Sequence, residues 1–129
     1  MIKRFLEWIR LKEKIHNIKS EAPLVSEREL WWIIFGENVG SEINGKNDRF
    51  SRPGLILKKL SHHFYLVVPS TTQKREGSWY VPILYANKDM YLCLHQIRVI
   101  DYRRLSGCLG KIDGDDFLRI KEQFFKLYK

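Results

Sequence analysis

Four short blocks of the sequence carry the side chains best suited to chemistry on an anionic group. They are Ser41 in a glycine-containing loop, Arg52 directly before a proline, the hydroxyl-rich stretch 70–73 and the segment HQIR at 95–98. An arginine offers a planar fork of N–H donors and Thr71 offers a hydroxyl, so both can bind phosphate oxygens. Each also has a structural interpretation, Arg52 as a surface arginine at a strand edge and Thr71 as a turn residue.

Motifs of other chemistries are absent from the sequence. It contains no G-x-x-x-x-G-K-[ST], no G-x-S-x-G and no H-E-x-x-H. The four histidines are scattered, and the adjacent His62 and His63 would point to opposite faces of a strand. Cys93 and Cys108 lack a metal-ligand spacing, and Cys93 lies in an apolar run. We therefore expect two free thiols, a buried Cys93, no metal site and no cofactor.

Composition and charge predict one domain with a polyanionic partner. Lys and Arg outnumber Asp and Glu by 23 to 15 among the 129 residues, which gives a formal net charge of +8. Such a surface attracts nucleic acid, an anionic membrane or an acidic protein.

The N-terminal segment lacks the apolar run of a signal peptide, and no segment approaches the ~20 apolar residues that cross a bilayer. We expect a soluble, cytoplasmic protein without a membrane partner.

A basic amphipathic helix is predicted at the N-terminus. Ile2, Phe5, Leu6 and Ile9 recur at helical spacing with Lys and Arg between them, and the pattern extends to about Ile18. A helix of this kind can lie on a membrane surface, but packing against its own domain or a partner is commoner. We interpret residues 1–26 as a helical extension and residues 27–129 as the main domain.

The rest of the chain predicts a small β structure. Five apolar segments are typical of strands, namely 29–35, 54–60, 63–69, 78–84 and 90–100. Because no helices are interleaved, we expect an antiparallel sheet that closes as a small barrel. Asp113, Asp115 and Asp116 then open a terminal helix, and a short helical turn fits before it. The predicted fold class is mainly β with flanking helices.

In combination, four ordered blocks resemble the MazF/PemK family of toxin endoribonucleases over about residues 29–127. They are WWIIFGENVGSE, the Arg52–Pro53 pair, VPSTTQ and HQIRVIDYRRLSGCLGKID. The resemblance implies an SH3-like antiparallel barrel with a C-terminal helix, usually a homodimer, that cuts single-stranded RNA without a metal. Cleavage in the family proceeds by attack of the 2′-hydroxyl and leaves a 2′,3′-cyclic phosphate and a 5′-hydroxyl. A cognate antitoxin normally occupies the RNA groove.

The resemblance also assigns roles to single residues. Arg52 matches the family's catalytic arginine and Thr71 its catalytic threonine, while Ser41 and Gln96 match positions that contact substrate. Some members carry an acidic residue, a candidate general base, where this chain has His95; a histidine could serve as that base. Strand alternation would place His95 and Gln96 on opposite faces, so both could face the groove only across a bulge.

A long polar loop, from about Gly36 to Arg52, needs either disorder or a function, because most connections have only about 4–6 residues. In the resemblance it is a mobile flap beside the RNA groove. Lys46 and Arg49 are then available for phosphates. Glu37 and Glu42 argue against a purely phosphate-binding surface, and they would read bases or order the flap.

Two other functions fit the same sequence. One is the gyrase-poisoning toxin of the same barrel fold, which cuts nothing and does not need Arg52 and Thr71 in one groove. The other is a non-catalytic SH3-like module that binds RNA or peptide. RNA cleavage in EDTA separates the nuclease from both alternatives.

Overall fold

The chain folds into a wrapped antiparallel sheet between two helices. The computed structural model describes residues 4–129. In chain order the elements are α1 (Phe5–His16), β1 (Glu29–Ile34), β2 (Ser51–Lys59), β3 (Phe64–Thr71), β4 (Tyr80–Tyr85), β5 (Lys88–Cys93), β6 (Arg98–Asp101), β7 (Leu105–Lys111) and α2 (Gly114–Leu127), with 3₁₀ turns at Leu94–Gln96 and Tyr102–Arg104. Neither helix in this part of the chain is long and apolar enough to cross a membrane.

The strands follow the order β4-β5-β3-β2-β1-β7, with β6 beside β3. β3 joins two parts of the sheet, because its first residues pair with β6 and its last two, Ser70 and Thr71, pair with β5. The hydrogen-bonded ladder stays open between the outer strands β4 and β7 of the described chain. There the Tyr85 hydroxyl donates to the Leu109 carbonyl at 2.8 Å and bridges the gap. The prediction of a mainly β, barrel-like fold with two flanking helices is confirmed.

α2 closes the larger part of the core. Its Ile120 is fully buried in a cluster that includes Leu55, Val68 and Leu92. The helix begins where the sequence predicts, because the Asp113 carboxylate accepts the N–H of Asp115 at 2.8 Å and caps the first turn. The C-terminal helix is thereby fixed to the sheet by one apolar face.

α1 packs against the same chain, as the commoner of the predicted alternatives requires. Its buried residues, Trp8 and Ile15, form a separate apolar cluster with Ile34 and Phe50. The helix ends at His16, two residues before the predicted end, and Ile2 lies outside the described residues. The boundary after residue 26 stays a prediction.

The segment predicted as one continuous strand, residues 90–100, instead contributes to two strands, β5 and β6. Leu92, Cys93 and Leu94 are buried in succession, so alternation fails, and the chain turns through Leu94–Gln96 before β6 begins. The turn is fixed from outside, since the Leu94 N–H donates to the Trp79 carbonyl at 2.8 Å and the Leu94 carbonyl accepts from the Tyr128 hydroxyl. β7, which pairs with β1 across two register shifts, was not predicted.

Candidate active site

Arg52 occupies the second position of β2, opposite Ile33 of β1. Its Nε–H donates to the Asn44 carbonyl at 2.6 Å and its Nη1–H donates to the Ser70 carbonyl at 3.1 Å. The guanidinium thus joins the long loop to the end of β3. Burial lowers the pKa of Arg52, an effect that the Cys93 thiol partly opposes. An arginine pKa still lies far above neutral pH, so the site holds a permanent, partly desolvated positive charge.

The two hydroxyl side chains at the end of β3, Ser70 and Thr71, make different hydrogen bonds. Ser70 is 2% exposed, and its hydroxyl donates to the Pro53 carbonyl at 2.7 Å, which ties β3 to the residue after Arg52. Thr71 is half-buried and its Oγ1 accepts the N–H of Gln73 at 3.2 Å. The described residues provide no acceptor for the Thr71 O–H, so this proton is available to a ligand.

Arg52 and Thr71 line a groove of about 710 Å³. Four cationic side chains and two carboxylates contribute to its wall: Arg4, Lys46, Arg52, Arg75, Glu37 and Glu42. The wall therefore carries a surplus of positive charge, which favours an anionic ligand over a neutral or cationic one. A smaller, more apolar cavity of about 320 Å³, lined in part by Trp32, Pro53 and Met90, also reaches Arg52 and Thr71.

The 3₁₀ turn brings His95 and Gln96 to the groove together. The expectation that they lie on opposite faces is wrong, because neither residue belongs to a strand. The exposed His95 ring packs on its edge against Tyr80 at a centroid distance of 5.1 Å, and its Nε2 lies 3.4 Å from the Tyr80 hydroxyl. An exposed imidazole at a groove wall has the position that a proton acceptor needs.

Gln96 uses both ends of its amide to hold the long loop. Its Oε1 accepts the N–H of Ile43 at 3.1 Å and its Nε2 donates to the Ser41 carbonyl at 3.1 Å. Ser41 is exposed in the groove wall, and its own hydroxyl is not what Gln96 binds. A direct substrate contact by Gln96 or Ser41 stays a prediction, while the contact to the loop is observed.

Internal hydrogen bonds shape the loop into a wall of the groove. The Asn38 amide donates to the carbonyls of Phe35 and Ile43, and the N–H of Gly45 donates to the Gly36 carbonyl at 2.8 Å. Position 45 accepts only glycine here, because a Cβ would lie 1.5 Å from the Phe50 carbonyl oxygen. The mobility of the loop stays a prediction. In the structure, internal hydrogen bonds link residues from the start of the loop to its middle.

Four charged residues of the loop, Glu37, Glu42, Lys46 and Arg49, have different environments. Glu42 accepts the N–H of Val39 at 2.9 Å, and Glu37 is 8% exposed and accepts the backbone N–H of Arg4 at 2.6 Å. Both carboxylates therefore order the loop. Lys46 is exposed and lines the groove, whereas Arg49 is exposed outside its lining.

Sequence reasoning missed two cations of the groove. Arg75 lies in the charged connection after β3 and donates to the Gln73 amide oxygen at 2.7 Å. Arg4 comes from the segment before the predicted main domain. No spacing signal marks either residue, although Arg75 shares the segment TTQKREG with Thr71.

The sequence of the chain matches the model of one known protein family. A family model for the "PemK-like, MazF-like toxin of type II toxin-antitoxin system" matches residues 26–127, a span that begins after α1. No curated protein matches the sequence.

Several solved structures are similar to this chain, including the following three. The first is MazF (Form-I) from Deinococcus radiodurans, with a TM-score of 0.68 and 18% identity over 81% of this chain and 96% of that one. The MazE-MazF (Form-II) structure from the same organism has a TM-score of 0.62 and 17% identity over 81% and 95%. A mycobacterial endoribonuclease in complex with its cognate antitoxin gives 0.60 and 14% over 80% and 93%. At these identities the likeness shows the fold.

Proposed function

The chain belongs to the PemK-like, MazF-like toxin family of type II toxin–antitoxin systems, and we propose from this that it is an endoribonuclease that cuts single-stranded RNA. One observation supports the proposal above the others. Arg52 and Thr71 lie together in a groove with a positive surplus, and Arg52 is held there by two backbone carbonyls. A barrel that only bound a protein partner would not need this preorganised donor pair.

In the proposed reaction the RNA supplies its own nucleophile. The 2′-oxygen attacks the adjacent phosphorus, the bond from phosphorus to the 5′-oxygen breaks, and a 2′,3′-cyclic phosphate and a 5′-hydroxyl result. Of the five N–H donors of a guanidinium, two bind the carbonyls of Asn44 and Ser70, which leaves three for phosphate oxygens. Because the carbonyls fix the fork in advance, its charge stabilises the transition state with little rearrangement.

Thr71 and His95 complete the proposed chemistry. The free O–H of Thr71 donates to a second phosphate oxygen, His95 accepts the proton of the attacking 2′-hydroxyl, and the departing 5′-oxygen takes its proton from water. The Tyr80 hydroxyl, 3.4 Å from Nε2, holds the imidazole at the groove wall. In this scheme the arginine carries the countercharge, so the reaction needs no metal. Lys46 and Arg75 bind neighbouring phosphates, and Ser41, Glu42, Arg49 and Gln96 are proposed as further substrate contacts.

The same groove is the proposed docking site of a cognate antitoxin. The solved relatives include MazE-MazF and an endoribonuclease with its antitoxin, and a positive groove suits an acidic, partly disordered segment. We propose that the segment places carboxylates where phosphates otherwise lie, so that antitoxin and RNA exclude each other. We also propose that the chain forms a homodimer and acts in the cytoplasm.

The decisive experiment is incubation of the purified chain with a long RNA in excess EDTA. We expect discrete fragments whose 5′ ends accept phosphate from a polynucleotide kinase without prior dephosphorylation. RNA binding without fragments would instead indicate a non-catalytic module, and an inert RNA combined with inhibited gyrase would indicate the gyrase-poisoning alternative. Either result would refute the nuclease.

A further inference from the structure

The N-terminal segment reaches the groove although it lies outside the span that matches the family model. Arg4, the residue before α1, lines the groove together with Arg52 and Thr71. Its guanidinium donates from Nη2 to the Asn47 carbonyl at 2.8 Å and lies 4.3 Å above the Phe50 ring. Its backbone N–H binds the carboxylate of Glu37. Arg4 thus contacts the loop at three separate points.

Apolar anchors in α1 determine where Arg4 lies. Trp8 is 6% exposed and its ring centroid lies 5.6 Å from that of Phe50. The ring also covers Gly36, where φ is +87° and a Cβ would come within 2.3 Å of the indole. Ile15 packs into the same cluster with Ile34. These contacts hold α1 against β1 and the loop, and they direct Arg4, the residue before the helix, to the groove.

The charge of Arg4 remains accessible. Its side chain is 39% exposed, and the guanidinium forms an ion pair with the fully exposed Asp48 at 3.9 Å, a distance at which an exposed pair contributes little. Asn47 takes one of the five guanidinium N–H donors. The remaining donors match the oxygens of a phosphate, which arginine binds with a planar fork.

We propose that Arg4 is an RNA phosphate-binding residue and that the N-terminal helix thereby completes the substrate groove. The inference rests on the proposed function, because it assigns one subsite of the same RNA path. It makes the extension part of the binding machinery, with α1 as the brace that positions the arginine. Arg10 provides a matched comparison, since it lies on α1, is exposed and does not line the groove.

The test measures the affinity for a mixed-sequence, fully 2′-O-methylated single strand as a function of salt. This probe lacks the 2′-hydroxyl, which is the proposed nucleophile. It therefore cannot be cleaved by the proposed reaction, and the assay measures binding alone. For single strands the slope of log affinity against log salt changes by about 0.7 for each phosphate contact. We expect Arg4→Gln to reduce the slope by about 0.7, Arg4→Lys to restore most of it and Arg10→Gln to leave it unchanged.

The outcomes separate the inference from the function beneath it. Equal slopes for wild type, Arg4→Gln and Arg10→Gln, in a chain that cuts RNA, would overturn the role of Arg4 and leave the nuclease intact. Equal reductions of the slope in Arg4→Gln and Arg10→Gln would indicate a general effect of net charge and would also overturn the role of Arg4. A wild-type chain that neither binds the probe nor cuts RNA would refute both. Thermal unfolding of each variant checks that α1 remains docked, and a slope lost in both Arg4→Gln and Arg4→Lys with a lowered Tm would mean a structural role only.

Discussion

Replacing Arg52 by alanine should abolish most cleavage without unfolding the protein. The change removes two hydrogen bonds to the carbonyls of Asn44 and Ser70. At about 1 kcal/mol net for each bond, the free energy of unfolding should fall by about 2 kcal/mol. Since small domains are stable by about 5–15 kcal/mol, the variant should still fold. The loss of one preorganised donor to the phosphate should lower the cleavage rate by roughly 10²–10³.

Single-turnover cleavage at saturating enzyme measures this effect directly. A short RNA containing a mapped cleavage site, labelled at its 5′ end, is mixed with excess protein in EDTA, and fragment formation is followed in time. Denaturant unfolding of the same preparation supplies the stability difference. Because excess protein saturates the RNA, the rate reports the chemical step rather than affinity.

Arg75→Ala is the matched control for this prediction. Arg75 is exposed in the same groove and its partner within the described chain is the Gln73 side chain. Its loss should weaken RNA binding and reduce the salt slope by about 0.7 while leaving the saturated rate nearly unchanged. If folded Arg52→Ala cleaves at the wild-type rate, or if both variants lose the same factor, Arg52 has no special part in the reaction.

Three further predictions follow from other parts of the molecule. His95→Gln should lower the single-turnover cleavage rate by roughly 10²–10⁴, because it removes the proposed proton acceptor; an unchanged rate in the folded variant would exclude the role. Trp8→Ala should lower the free energy of unfolding by about 3 kcal/mol in denaturant titrations because the side chain is buried, whereas Leu6→Ala, 79% exposed, should change it little; equal effects would contradict the docking of α1. Burial raises the pKa of Cys93 from 9.0 to about 11, against the opposing charges of Arg52 and Arg75. The folded state therefore retains this proton to a higher pH than the unfolded state. The free energy of unfolding that is present below pH 9 should fall as pH rises towards 11, by at most about 2 kcal/mol more in the wild type than in Cys93→Ala. Parallel curves of unfolding free energy against pH for the two proteins would refute this prediction.

The strands that could be predicted are those with strong local patterns. The runs around Trp32, Leu55 and Val67 are rich in β-branched and aromatic residues, and each forms a strand of the sheet. β7 escaped prediction because Gly107 and Gly110 lower its intrinsic preference, and pairing with β1 compensates through two register shifts. Tertiary contacts outweigh local propensity there.

The candidate site was predictable in its residue types and less so in its geometry. Arg52 and Thr71 lie in one groove, as the resemblance implies. The facing of His95 depends on a turn whose hydrogen bonds come from Trp79 and Tyr128, residues distant in the chain. The contribution of Arg4 depends on how a separate helix docks. Neither the orientation of His95 nor the position of Arg4 can be predicted from the spacing of residues in the local sequence.

The docking of α1 through Trp8 and Phe50 imposes an order on the folding of the chain. The helix is synthesised before the surface that receives it, since Ile34 and Phe50 emerge from the ribosome later. A helix of 12 residues is marginal in water by itself, so α1 becomes stable only when the first hairpin, β1 with β2, presents that surface. Until α1 docks, Arg4 is not held at the wall of the groove, so a nascent or locally unfolded chain has an incomplete groove.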